Sequence, residues 1–298
     1  MIATSDYELV TDSAGLVDHS DRAKFLVRGG EAADFLQGQV SNDVEALAPG
    51  QGCYATVLSH KGKLRTDLRV LRGDDWFWLD TERIGHAVLE HMLRTYSLGR
   101  DVQYEDLTES RALLSVIGPG ARERLDAAPP EAEHSFVEGE HGIYVATLLG
   151  VDVICTPGTA LEVEQVSEEA AECVRIEAGR PRLGYDIDSE TMPQEAGINE
   201  RAVSFTKGCY VGQETVARLH YRGKPNRHLR GLLLSEPVER GTEITLGEKV
   251  VGRVGSTCVS PRLGPIALAL VRREAQPGTT VDVAGAAAEV TALPFSHR

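Results

Sequence analysis

The sequence predicts an α+β protein that ends in a small β-barrel, and three observations carry that prediction. Over roughly the first three quarters of the 298-residue chain, stretches of period-two alternation alternate with stretches whose apolar residues recur at helical spacing. From about Leu229 the helical spacing stops and short β segments follow one another between glycine turns. A basic stretch with one glycine and one proline, RGKPNRHLR at 222–230, separates the two textures.

Taken in order, AKFLVRG predicts a strand, and GEAADFLQGQVSND a helix with an acidic first turn. GCYATVLSH and KLRTDLRVLRG predict two strands joined by a tight turn at Lys61-Gly62. DWFWLDTE alternates as a strand, and ERIGHAVLEHMLRTYSL has apolar residues at helical spacing. SRALLSVIGPGARERLDAA predicts a strand, a Gly-Pro-Gly turn and a helix; HGIYVATLL and VDVICTP predict a hairpin; ALEVEQVSEEAAECVRIEAG predicts a mostly helical segment. QETVARLH opens a further helix, and LRGLLLSE, TEITLGEKVVGRVGSTCVSPRLG, PIALALVRRE and TTVDVAGAAAEVTALP supply the barrel over 229–298. Two β-α-β-like units are visible before the barrel, without a sequence repeat that would prove duplication.

Composition narrows the function. Thirty-one basic against 45 acidic side chains give a net charge of −14, which disfavours generic binding to nucleic acid. Arginine outnumbers lysine and the acidic residues are spread along the chain, a pattern that fits a salt-adapted source as well as an ordinary acidic protein. No apolar run reaches membrane-spanning length, and the acidic, polar N-terminus lacks the form of a signal peptide, so a cytoplasmic protein without membrane association is expected. No coiled-coil repeat or apolar helix suggests assembly, and a monomer is the default. The five cysteines, at 53, 155, 173, 209 and 258, form no C-x-x-C pair, so no metal site is expected. The Gly118–Pro119–Gly120 turn lacks the lysine and hydroxyl of a phosphate loop, and neither H-E-x-x-H nor G-x-S-x-G occurs.

Three stretches could carry chemistry. The first is KGCYVGQE, Lys207 to Glu214, inside FTKGCYVGQETVAR. Gly208 and Gly212 mark irregular backbone, Lys207 can favour the Cys209 thiolate, and Gln213 and Glu214 open a helix whose N-terminus favours an anion. A structural turn is the competing reading. The second is GKLRTDLRV, in which alternation sets Asp67 on one face with Arg65 and Arg69. That face is either solvated or functional. The third is VRIEAGRPRLGYDIDSETMPQEAGIN, long and irregular after Gly179, with Glu177 and Glu195. A carboxylate can make two parallel charge-assisted hydrogen bonds to the N–C–NH2 edge of a pterin or guanine, although either glutamate could equally cap a helix or lie on the surface.

Together these stretches resemble the folate-binding superfamily of the glycine-cleavage T-protein (aminomethyltransferase) and YgfZ. KGCYVGQE, followed by VAR and YRG, is similar to the YgfZ branch; FLQGQVSNDV, VRIEAGRPRLGYDID and PQEAG are similar to both branches. The resemblance covers about residues 9–230, and the β module fits the family's barrel. It implies a multi-domain, ring-like fold that binds tetrahydrofolate or a one-carbon derivative centrally. Its α+β region, 1–228, is expected as two intertwined subdomains, roughly 1–45 with 110–228, and 46–109. GKLRTDL keeps one of the family's two adjacent aspartates as Asp67, and VRIEAG keeps the pterin-binding glutamate as Glu177. Glu195, Asn42, Gly208, Tyr210, Gly212, Gln213, Glu214 and Arg218 are further binding candidates; Cys209, Asp67 and Lys207 are the catalytic ones. The YgfZ branch implies a reactive Cys209 beside the folate site and iron–sulfur proteins or their assembly factors as partners. The T-protein branch implies aminomethyl or related one-carbon transfer, with Asp67 as the working carboxylate.

Overall fold

A computed structural model describes residues 2–296 as two five-stranded antiparallel sheets followed by a closed six-stranded barrel. The chain opens with helix α1 (Thr4–Asp12), strand β1 (Gly15–Asp18), strand β2 (Ala23–Arg28) and helix α2 (Ala32–Gln39). The predicted hairpin follows as β3 (Gln51–Leu58) and β4 (Leu64–Arg72), with Gly62 at φ +71° in its turn. Next come β5 (Trp76–Thr81), α3 (His86–Tyr96) and β6 (Gln103–Asp106). β2 to β6 form one sheet in the order β3-β4-β5-β2-β6. Its core is sealed by α2 and by Leu89, Met92 and Leu93 of α3, which share one face of that helix at i, i+3 and i+4.

The second sheet is built from β7 (Ala112–Ile117), β8 (Phe136–Gly139), β9 (Gly142–Thr147) and β10 (Gly150–Cys155), with β1 on its edge, in the order β1-β7-β10-β9-β8. Leu71 and Trp78 of the first sheet meet Phe136, Val145 and Ile154 of the second. Helix α4 (Glu168–Glu177) packs with α1 behind this sheet. Short α5 (Asn199–Ala202) and longer α6 (Gln213–Arg222) lead to the barrel.

The barrel comprises β11 (Arg227–Leu234), β12 (Glu243–Leu246), β13 (Lys249–Ser260), β14 (Gly264–Arg272), β15 (Thr280–Val283) and β16 (Ala286–Thr291). It closes in the order β11-β14-β13-β12-β15-β16 around its own core of Val, Leu, Ile and Ala side chains. The barrel starts at Arg227, two residues before the expected boundary. No helix among the described residues is long and apolar enough to cross a membrane.

Three expectations need correction. The division at residue 46 cuts through the first sheet, because β2 and α2 share one core with β3 to β5. The helix expected after Gly-Pro-Gly is only a short 3-10 turn, Ala121–Arg124, because Leu125 leaves it in extended geometry, at φ −113° and ψ 150°. The helix expected from Ala160 begins only at Glu168. Before it the chain turns and bends, with Leu161 and Val163 packed on the second sheet's core and a short bridge in which Leu16 bonds to the backbone of Glu164 and Val166. Alternating apolar residues there had the period of a strand.

Candidate functional site

An open cavity of about 270 Å³ lies between the two sheets, with α4 and the loop after it completing its wall. Strand β4 explains why it is polar. Leu68 and Val70 point into the core under α2 and α3, so alternation turns Asp67, Arg69 and Leu71 towards the second sheet. Asp67 is 8% exposed and Arg69 6%, which excludes the solvated-face reading of this alternation. On the neighbouring strand Tyr54 is paired with Arg69, diagonal to Asp67, and its hydroxyl donates to Asp67 Oδ2 at 2.5 Å. Burial pushes the Asp67 carboxyl above its ordinary pKa and the nearby Glu82 adds to this; the Tyr54 hydrogen bond and the Arg22 charge oppose it.

Arginines hold the cavity's other carboxylates. Arg69 Nε donates to Asp80 at 2.7 Å, and its Nη1 reaches Asp152 of the second sheet, also at 2.7 Å. Arg22 bonds Asp80 at 2.9 Å and Glu82 at 2.5 Å, and Arg182 bonds Glu82 at 2.9 Å. Burial alone would raise the pKa values of Asp80 and Glu82; the guanidinium charges outweigh it and hold both below the ordinary range. Arg201 lies over the Tyr54 ring at 4.8 Å and is paired with Glu133 at 2.7 Å. Asn42 ties these pieces together, since its amide donates to the carbonyls of both Tyr54 and Arg201 at 2.8 Å. Asn42 thus shapes the wall from behind and does not line the cavity.

Two lining residues keep unused capacity. Arg69 Nη2 and both ring nitrogens of His134 are buried without a hydrogen bond, with His134 Nε2 standing 3.8 Å from a Glu133 carboxyl oxygen. Burial and the Arg69 charge push the His134 pKa down to about 4, so the ring is neutral at pH 7. His134 holds an unusual backbone φ of +69°.

The KGCYVGQE stretch lies elsewhere: none of its residues lines the cavity. Cys209 is exposed and does not line this cavity. Lys207 is buried, and its ammonium donates to the carbonyls of Gln37, Val40 and Asn42 at 2.6, 2.8 and 2.7 Å. It thereby satisfies carbonyls at the C-terminal end of α2. Burial pulls its pKa down to about 8. With all three donors used in this way, Lys207 is a clamp and not an activator of the thiol. Tyr210 is buried in the cluster beneath α6. Gly212 caps α6 at φ +85°, where a Cβ would meet the Ser59 carbonyl at 2.5 Å; only glycine lets this loop dock on the β3–β4 turn. Nothing stands within 4 Å of a Cβ at Gly208. Gln213 begins α6, and Glu214 and Arg218 are exposed on it.

Both glutamates of the third stretch are engaged away from the cavity. Glu177 accepts from the Tyr7 hydroxyl at 2.8 Å and from Ser260 at 2.5 Å, joining α1, α4 and the barrel. Glu195 pairs with Arg227 at the barrel's first strand, 2.9 Å away. The structure thus brings Asp67 alone of the candidate residues into the cavity, with Asn42 behind its wall. Sequence reasoning missed Arg22, Tyr54, Arg69, His134 and Arg201. One signal was available: Asp80 is a carboxylate in an otherwise apolar strand, and such a group requires a buried cation.

Comparisons with known proteins agree with this architecture. The GCVT N-terminal domain family matches residues 2–142, and the glycine cleavage T-protein C-terminal barrel domain family matches 227–296. An aminomethyltransferase of Prosthecochloris aestuarii is 29% identical, covering 99% of this chain and 91% of its own. The tRNA-modifying protein YgfZ of Pectobacterium carotovorum is also 29% identical, covering 72% of this chain and 68% of its own. The crystal structure of the glycine cleavage system aminomethyltransferase T from Bartonella henselae superimposes with a TM-score of 0.88 at 25% identity, covering 98% of this chain and 89% of that one. The chain belongs to the folate-binding superfamily of the glycine-cleavage T-protein.

Proposed function

We propose that this member of the superfamily binds tetrahydrofolate in the cavity around Asp67 and acts in iron–sulfur cluster assembly or repair, with Cys209 as the thiol offered to a protein partner. The observation that carries the folate part is the unused polar capacity in the wall of the cavity: a buried guanidinium nitrogen and two buried imidazole nitrogens make no hydrogen bond in the protein. Buried donors without acceptors are costly, and a polar heterocycle supplies what they lack. Tetrahydrofolate when bound supplies two amines, N5 and N10, between which a one-carbon unit is carried. The residues of the chain do the rest. Asp67 can hold a proton on its carboxyl nearer to neutral pH than an ordinary aspartate, and Tyr54 fixes its orientation. The arginine–carboxylate network joins the two sheets and holds the walls of the cavity in place.

The thiol is supported by its presentation. The Lys207 clamp, the buried Tyr210 and the docked Gly212 hold the loop on both sides of an exposed Cys209. An exposed thiol outside the cavity suits contact with a second protein better than contact with folate. One cysteine cannot hold a cluster permanently, so any cluster contact is shared with that partner. Isothermal titration with tetrahydrofolate tests the binding, and no heat of binding overturns it. In a strain lacking this protein, Cys209→Ala should fail to restore iron–sulfur enzyme activity; full rescue overturns the role of the thiol.

A second reading is aminomethyl or related one-carbon transfer. The observation favouring it is Asp67 itself, a buried carboxyl of raised pKa at the heart of the cavity. Formation of methylenetetrahydrofolate from an aminomethyl donor, lost in Asp67→Asn, would establish it. A folate-loaded wild type without turnover rejects it.

A further inference from the structure

Away from the Asp67 cavity, the fold brings two of the five cysteines together. Cys173 stands on α4 and Cys258 on β13 of the barrel, 85 residues further on, and their sulfurs lie 3.5 Å apart. The thiols form a short chain: the Cys258 S–H donates to Cys173 Sγ, and the Cys173 S–H donates to Glu177 Oε1 at 3.6 Å. Their surroundings are unequal. Cys173 is fully buried among Tyr7, Val10 and Val174. Its hydrogen bond with Cys258, burial and the Glu177 charge hold the proton on its sulfur. Cys258 is half-buried and lines an open cavity of about 430 Å³ together with Glu168, Glu169, Glu172 and Arg240. Three carboxylates against one guanidinium disfavour an anionic oxidant there and leave access to a small neutral one.

We propose that Cys173 and Cys258 are a modification site, a dithiol that hydrogen peroxide converts to a disulfide between α4 and the barrel. The more accessible sulfur reacts first. The Cys258 thiolate attacks one peroxide oxygen, the O–O bond breaks, and the departing hydroxide takes up a proton to become water. Cys173 then gives its proton to Glu177 and attacks the sulfur of the Cys258 sulfenic acid. The S–S bond forms as the S–O bond breaks, and hydroxide leaves as water with that proton. The two sulfurs together lose two electrons and peroxide gains them. The sulfurs close from 3.5 Å to the ~2.05 Å of a disulfide. Ala171, Glu172 and Arg175 of α4 line the Asp67 cavity, so the bond fastens one wall of that cavity to the barrel. The site does not depend on what the Asp67 cavity binds.

Treatment of the intact, folded protein with hydrogen peroxide, followed by peptide mapping without reductant, tests this. The expected result is a peptide pair joined through Cys173 and Cys258 that dithiothreitol separates. The oxidised protein should also melt roughly 5–10 °C higher than the reduced one, a rise absent from Cys258→Ser treated in the same way. Cys173→Ser removes the resolving thiol and should leave a Cys258 sulfenic acid that dimedone captures; in Cys258→Ser the buried Cys173 should stay unmodified. No joined peptide from the wild type, or a bond from either sulfur to Cys209 in its place, overturns the inference. A joined peptide with an unchanged melting temperature overturns the fastening of α4 to the barrel.

Discussion

The Asp67 cavity and the Cys209 loop are both polar regions, yet they are built in opposite ways. The cavity gathers Arg22, Tyr54, Asp67, Arg69, Asp80 and His134 from separate strands and loops, and each charge is held by a partner distant in sequence. The loop presents one exposed thiol within a run of eight residues, fixed by a buried lysine on one side and a left-handed glycine on the other. Loss of one member should therefore disturb the cavity as a unit, while the loop should tolerate change at its exposed positions and fail at its anchors.

The sharpest way to break this contrast is Arg69→Ala. It leaves Asp80 and Asp152 without their shared cation between the sheets and should lower stability by about 3–5 kcal/mol in urea unfolding, the scale of a broken buried ion pair. Gly212→Ala comes next: the left-handed backbone and the Ser59 carbonyl predict a loss of about 1–3 kcal/mol by the same measurement. A smaller, pH-dependent effect is expected for Asp67→Asn. The folded-state pKa of Asp67 is raised, so its ionised form costs stability as pH rises above the unfolded value, and the cost is absent at lower pH where the group is neutral in both states. The asparagine variant should therefore gain more in Tm at pH 8 than near pH 4, while losing one-carbon chemistry if Asp67 performs it. Equal Tm changes at both pH values would show that Asp67 does not titrate abnormally. The smallest structural effect belongs to Cys209→Ala, within about 0.5 kcal/mol of wild type and with folate binding unchanged, because the side chain is exposed. A weaker folate affinity in that variant would remove the separation of the two regions.

Much of this molecule was legible in one dimension. The hairpin around Gly62, the apolar face of α3 and the switch to a barrel all follow from periodicity and turn chemistry, which are local. KGCYVGQE stood out because its lysine and glycines lie close together in the chain, although the partners of Lys207 did not: the lysine reaches the C-terminal end of α2 and the residues after it, 165 to 170 residues away. Asp67 was visible as a candidate, but its alternation with Arg65 and Arg69 was equally compatible with solvent. Alternation assigns side chains to faces and says nothing about what covers each face. Only the packing of the second sheet against the first buried Asp67, turned Arg69 into a bridge between sheets, withdrew Glu177 and Glu195 into contacts near the barrel, and left Arg69 and His134 with nitrogens to spare. Such outcomes depend on which distant charges meet in a low-dielectric space, and that is a property of the assembled fold.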